Sequence, residues 1–215
     1  GYHNIWILAD PNNDIGEENE TNNNATINIS ILKSNTTYPK NDSWTNNETI
    51  ELNFTLEDFT GGNINYSIFV NGVFNTQNGT VADNTSTLLN ITLNPEGLHY
   101  IEVEATDSLG RKKNSTKLYI NYDKTNPTPN FETLNGTFFN DTTPEISFNV
   151  TDNLASIINY TIYVDGTYET NATINVDTTT YLNLSALSEG EYNITLKGMD
   201  QAGNNASSTI FIFID

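Results

Sequence analysis

Asparagine followed at the second position by serine or threonine, with any residue but proline between, is the acceptor for transfer of an oligosaccharide onto the side-chain amide nitrogen. The chain carries this motif at Asn19, Asn24, Asn28, Asn35, Asn41, Asn47, Asn53, Asn65, Asn78 and Asn84, and again at Asn90, Asn114, Asn135, Asn140, Asn149, Asn159, Asn171, Asn183, Asn193 and Asn205. With 36 Asn and 44 Ser plus Thr in 215 residues, chance pairing gives roughly 7 such sites, against the 20 present. Dense N-glycosylation, with N-linked glycans as the chain's covalent cofactors, accounts for the excess. The alternative is an outer surface merely rich in Asn and Thr.

Carboxylates offer a second chemistry. Asp10, Asp14, Glu17, Glu18 and Glu20 crowd one acidic stretch, and clustered hard oxygens at a turn suit Ca²⁺, which takes about six to eight of them. The spacing fits no EF-hand loop, and a solvated acidic turn explains the same residues more simply. Asp107, Asp123, Asp152 and Asp200 stand near module ends and form a further set able to hold an interdomain ion that stiffens the joint.

Catalysis finds no support. His3 and His99 both occupy the third place of a Gly-x-His strand start, and Tyr192 fills that place in the third such start. A position that takes either His or Tyr is a packing position. No Ser-His-Asp order, metal-type histidine pair or phosphate-cradling glycine loop occurs. The expectation is a protein that is not an enzyme, with no catalytic residue.

The scaffold for these groups is written in the hydrophobic pattern. Apolar and polar residues alternate almost throughout, turn residues interrupt about every ten positions, and no stretch keeps a helical period over three turns. The chain is therefore all-β. In a strand, residues i and i+2 share a face, so the Asn and Ser/Thr of each acceptor motif point one way and the middle residue the other. Ile50, Leu52, Phe54 and Leu56 face inward while Asn53 and Thr55 face water. Asn28, Asn65, Asn90, Asn149, Asn159, Asn183 and Asn193 sit in the same alternation, which places acceptors on outer sheet faces.

The chain also repeats itself. INYSIFVNG at 64–72 returns as INYTIYVDG at 158–166, Glu96-Gly97 returns as Glu189-Gly190, and the turn from Asp107 to Gly110 returns as Asp200 to Gly203. A period near 93 residues with about seven short strands is the size of an immunoglobulin-like sandwich, and Asn71-Gly72 and Asp165-Gly166 are the two-residue hairpin turns expected within one. On these residues, with the Gly-initiated penultimate strand, the Asp-x-x-Gly turn, the closing strand ending in Asp and the Asp123 to Pro129 linker, the sequence resembles the Ig-like repeats of bacterial and archaeal surface proteins and adhesins. The reading is two tandem immunoglobulin-like β-sandwiches, at 34–123 and 124–215.

Residues 1–33 differ. Residues 1–10 align with the penultimate strand at 97–107, residues 25–32 align with a closing strand, and the acidic stretch joins them. This arrangement is similar to the last hairpin of a CARDB (cell-adhesion-related) domain. A hairpin with Ile5, Ile7, Ile27, Ile29 and Ile31 on one face buries too little to stand alone in water. The expectation is an incomplete hairpin, completed by adjoining domains of the same polyprotein or by strands from another copy of the chain, as in donor-strand fibres. Heterologous contacts that do not close into a ring generate filaments.

Composition narrows the role. Eight Lys plus Arg against 27 Asp plus Glu leave a net charge of −19, which repels phosphate backbones and anionic membranes; no nucleic-acid partner is expected. No apolar run reaches the length of a membrane span, so no membrane insertion is expected either. Cys is absent, removing disulfides and thiolate chemistry. Dense acceptor motifs without disulfides suit an archaeal cell surface better than a eukaryotic secreted protein. The expected function is an extracellular, heavily glycosylated structural protein that assembles head to tail into a surface filament or layer. The alternatives are an adhesin stalk and a carbohydrate-binding module, the latter needing a row of exposed aromatics that Trp6 and Trp44 do not supply.

Overall fold

The computed structural model describes residues 32–58 and 61–215 in full and, before them, the backbones of two strands. These are β1 (His3–Leu8) and β2 (Asn24–Ile29), paired antiparallel with Ile5 opposite Ile27 and Ile7 opposite Ala25. Among the described residues they form a two-stranded sheet of their own. Every described regular element is a strand, as period-two alternation requires.

The first repeat comprises β3 (Leu32–Tyr38), β4 (Ser43–Thr45), β5 (Thr49–Asp58), β6 (Asn63–Val70), β7 (Val73–Ala82), β8 (Ser86–Thr92), β9 (Gly97–Thr106), β10 (Lys112–Asn114) and β11 (Leu118–Tyr122). The second comprises β12 (Thr128–Phe131), β13 (Thr137–Phe139), β14 (Glu145–Thr151), β15 (Ile157–Val164), β16 (Thr167–Asn175), β17 (Thr180–Asn183), β18 (Gly190–Met199) and β19 (Asn205–Ile214). One sheet runs β3-β5-β8 and another β4-β11-β9-β6-β7, with β10 also on β9; the second repeat gives β12-β14-β17 and β13-β19-β18-β15-β16. The orders match strand for strand. In both, a short strand pairs parallel with the closing strand, β4 with β11 and β13 with β19, whereas hairpin neighbours run antiparallel. This is the Ig-like sandwich made twice. Short three-residue strands raise the strand number above the seven that size alone suggests.

The buried residues repeat as well. Leu52, Phe54, Ile64, Ile68, Ile101, Val103 and Ile120 have Ile146, Phe148, Ile158, Ile162, Ile194, Leu196 and Ile212 at the matching places, all fully buried. An edge-to-face ring pair recurs too, Phe54 with Tyr66 at 5.1 Å and Phe148 with Tyr160 at 5.0 Å. At both hairpin turns the two central residues have positive φ, 53° and 77° at Asn71 and Gly72 and 48° and 76° at Asp165 and Gly166, which is the twist-matching type I′ turn. His99 is buried with Nε2 2.7 Å from the Pro95 carbonyl oxygen, and Tyr192 donates its hydroxyl to the Ser188 carbonyl at 3.1 Å. One tether, spanning four residues, thus explains why His and Tyr alternate at that position.

Contacts divide the chain into two compact units. One comprises Gly1–Asn41, Glu51–Ile91 and Tyr100–Tyr119; the other comprises Asp42–Ile50, Thr92–His99 and Ile120–Asp215. The second unit holds the whole second sandwich, the chain that leads into it, and residues 42–50 and 92–99 of the first repeat.

Candidate functional site

Two kinds of site emerge from the sequence, acceptor asparagines and clustered carboxylates. Alternation places the first. Asn35, Asn41, Asn47, Asn65, Asn78, Asn84, Asn90, Asn114, Asn135, Asn140, Asn159, Asn171, Asn183, Asn193 and Asn205 are exposed, and Asn53 and Asn149 are half-buried. The middle residues Phe54, Ile91, Val150, Tyr160, Leu184 and Ile194 are buried. Several acceptors hold their oxygen and not their nitrogen: Asn65 Oδ1 accepts from the Thr80 hydroxyl at 2.7 Å, Asn47 Oδ1 from the Thr49 amide at 3.0 Å and Asn135 Oδ1 from the Phe211 amide at 2.7 Å. That bonding orients the side chain while leaving the nitrogen that would carry sugar uncommitted by those bonds. Asn149 is different, because its Nδ2 donates to Glu132 at 3.0 Å.

The second site lies in the compact unit that contains the second sandwich. Asp123 follows β11, Asp152 follows β14 and Asp200 follows β18. Topology brings them together. Strand β12 enters antiparallel to β14 with Thr128 opposite Thr151, so the chain just before β12 meets the residue just after β14. Strand β18 ends at the same side, with Met199 opposite Asn159 at the start of β15. One carboxylate oxygen from each of the three lies within 4.8 Å of the others.

Hydrogen bonds hold the carboxylates on one side only. Asp152 Oδ1 accepts from the amides of Leu154 and Ala155 at 2.9 and 2.7 Å. Asp123 Oδ1 accepts from the Thr125 amide at 3.1 Å, and its own amide donates to the Thr45 carbonyl at 3.0 Å. Asp200 accepts from Asn204 twice, at 2.8 Å from the amide to Oδ1 and at 2.7 Å from Nδ2 to Oδ2, and Asn204 Nδ2 also reaches the Asp123 carbonyl at 2.8 Å. Among the described residues, the buried Oδ2 atoms of Asp123 and Asp152 meet no donor. None of the three carboxylates has an ion-pair partner there either. Burial pushes the Asp123 carboxyl up to about 6, against the pull of the Thr125 amide, and the charges of Asp152, Asp200 and Glu96 push the same way.

Asp107, grouped with these three on sequence, belongs elsewhere. Asp58 and Asp107 are the first-repeat counterparts of Asp152 and Asp200, and Arg111 stands where the second repeat has Asn204. Arg111 Nε bonds Asp107 Oδ2, and Nη2 lies 3.5 Å from Asp58 Oδ1. The backbone frame is the same in both: Asp107 Oδ1 accepts from the Arg111 amide at 2.9 Å, as Asp200 Oδ1 does from Asn204. Burial alone would raise Asp107, but the Arg111 and Leu109 amides and the guanidinium hold it below its ordinary value. Sequence reasoning overlooked Arg111, Asn204 and Glu96. The signal for the first two was present, because superposing the repeats sets Arg111 on Asn204.

The remaining sequence-derived sites fall outside the described residues: Asp10, Asp14, Glu17, Glu18, Glu20, Asn19 and Ile31. For Ile5, Ile7, Ile27, Ile29, Asn24 and Asn28 only backbone pairing is described.

Residues 134–215 match the bacterial Ig-like domain. The fold comparison agrees. The fibronectin(III)-like modules of Clostridium thermocellum CbhA share 15% identity at a TM-score of 0.50, over 85% of this chain and 94% of that one. A 1.5-MDa bacterial ice-binding adhesin shares 14% identity at 0.44, over 86% and 66%. The FN1-FN3 domains of chicken CNTN1 share 16% at 0.41, over 88% and 70%. Among curated proteins nothing matches the chain. At 15% identity the likeness to the CbhA modules speaks for the fold alone and leaves the role to the residues.

Proposed function

We propose that the chain is part of an extracellular structural protein, non-catalytic and coated in N-linked glycan, that assembles head to tail into a surface filament or layer. The observation that carries this reading is the placement of the acceptors: a threefold excess of glycosylation motifs, whose described asparagines are exposed save for two half-buried ones. Sugars on outer sheet faces hinder proteases and the edge-to-edge pairing that exposed strands invite. The β1–β2 pair supplies the joint, completed by strands of a neighbouring copy or of an adjoining domain of the same polyprotein.

The alternatives are an adhesin stalk and a carbohydrate-binding module. Two grooves disfavour the second. A cavity of about 520 Å³ is lined by Asn159, Tyr160, Asn171 and Met199, and one of about 330 Å³ by Asn65, Tyr66, Asn78 and Gly79. Each is flanked by two acceptor asparagines, whose own glycans would occupy it.

Glycopeptide mass spectrometry on protein from its native source, with electron microscopy of the same material, tests both halves of the reading. Sugar on most of the acceptors and filaments with a regular axial repeat are expected. Bare asparagines or monodisperse monomers would overturn it.

A further inference from the structure

We infer that Asp123, Asp152 and Asp200 form a calcium site that does for the second repeat what the Arg111 guanidinium does for the first. The inference is independent of glycosylation and assembly. It starts from two oxygens, Oδ2 of Asp123 and Oδ2 of Asp152, that are buried and meet no donor among the described residues. Asp123 is 0% exposed, and a buried carboxylate with no partner for one oxygen is strongly disfavoured. Those oxygens belong to two of the three carboxylates, Asp200 being the third, that bring one oxygen each to within 4.8 Å of the others. Two oxygens bound to one calcium at about 2.3–2.6 Å stand at most roughly 5 Å apart, a spacing that every pair of the three meets.

The first repeat shows what the corner needs. There, two carboxylates share one guanidinium, leaving one net negative charge. In the second repeat a neutral amide replaces the guanidinium and a third carboxylate is added, and a dication restores the same net charge. The donor set selects the ion. Three carboxylates with no His or Cys are hard oxygen donors, unsuited to zinc, and three carboxylates on one ion exceed the one or two through which magnesium is usually held. The remaining places on calcium fall to water or main-chain carbonyls. Through Asp123 the ion ties the 123–127 segment to the ends of β14 and β18, within one compact unit.

The test is calorimetric titration of the full chain with CaCl₂ after exhaustive chelation, beside Asp152→Asn. That variant keeps Oδ1 for the Leu154 and Ala155 amides and replaces only the donorless Oδ2. It is preferred to Asp123→Asn, which would create a new acceptor motif with Lys124 and Thr125. The parent is expected to bind one calcium saturably, with a dissociation constant of about 0.1–1 mM as in extracellular calcium modules. Its melting temperature should rise by about 5–10 °C at saturation, with a smaller response to MgCl₂. In Asp152→Asn affinity should fall at least about tenfold. Asn204→Arg gives a second reading should that variant not fold: placing a guanidinium beside Asp200 should raise the calcium-free melting temperature and abolish the calcium response. A parent with no saturable uptake below about 10 mM, or either variant titrating like the parent, would overturn the inference.

Discussion

At the end of β9, Asp58 and Asp107 close on the Arg111 guanidinium; at the end of β18, Asp152 and Asp200 have Asn204 in its place and Asp123 beside them. The backbone is shared, down to the amide that caps Asp107 and Asp200. The two corners therefore differ in the residue that faces the paired carboxylates, Arg111 or Asn204, and in the third carboxylate that Asp123 adds. Ig-like repeats tolerate such exchanges because the core does not depend on them: Phe54 and Phe148, with their Tyr66 and Tyr160 partners, pack identically in both. A corner with its own arginine is complete on folding, and a corner with an asparagine depends on its medium.

The largest effect expected from disturbing this comparison comes from Arg111→Asn. It leaves Asp58 and Asp107, each 3% exposed, without their guanidinium. Breaking a buried ion pair is expensive, but Arg111 is itself partly exposed, so the loss should be about 2 kcal/mol. Chemical denaturation should show it equally with and without calcium. Rescue by calcium would mean that the corners are interchangeable and that the arginine is no substitute for an ion.

A smaller effect separates the cores near the corners. Ala105 in β9 corresponds to Gly198 in β18. A Cβ on Gly198 would lie 3.2 Å from Val150 Cγ1, 3.4 Å from Pro129 Cγ and 3.5 Å from Ile158 Cγ2. Gly198→Ala should therefore destabilise by about 1 kcal/mol through crowding. A stabilised variant would show that the second corner is looser than its contacts indicate.

The smallest effect is in acid. Asp107 is held below its ordinary value of 3.8 by the amides and guanidinium around it, which outweigh its burial. A depressed carboxyl contributes stability that is fully present above the unfolded value and is lost as pH falls through the folded one. The melting temperature should fall on acidification below about pH 4, and Arg111→Asn should flatten that fall. An unchanged acid limb in the variant would separate Asp107 from Arg111 energetically.

Much of this is legible in the sequence. Period-two alternation marks Leu52, Phe54 and Phe148 as core and Asn159 and Asn193 as outer face, because a strand gives each residue only two directions. Asn71-Gly72 and Asp165-Gly166 announce their turns, since consecutive positive φ values require such residues. The sequence groups Asp123, Asp152 and Asp200 with Asp107. Asp107 opens the same Asp-x-x-Gly turn as Asp200, and only the residue after each glycine, Arg111 or Asn204, tells the two apart. That Asp58 and Asp152 come to those turns is a contact across sheets that no local pattern encodes. Glu96 was missed for the same reason: it meets Lys124 and Thr125 through bonds spanning 28 and 29 residues.

The most direct measurement is anomalous diffraction from crystals of the chain grown in calcium. The expected result is one strong peak within about 2.6 Å of carboxylate oxygens from Asp123, Asp152 and Asp200, with none at the Asp58–Asp107–Arg111 corner. A lysine ammonium or an ordered water among the three carboxylates, with calcium bound elsewhere or nowhere, would contradict it.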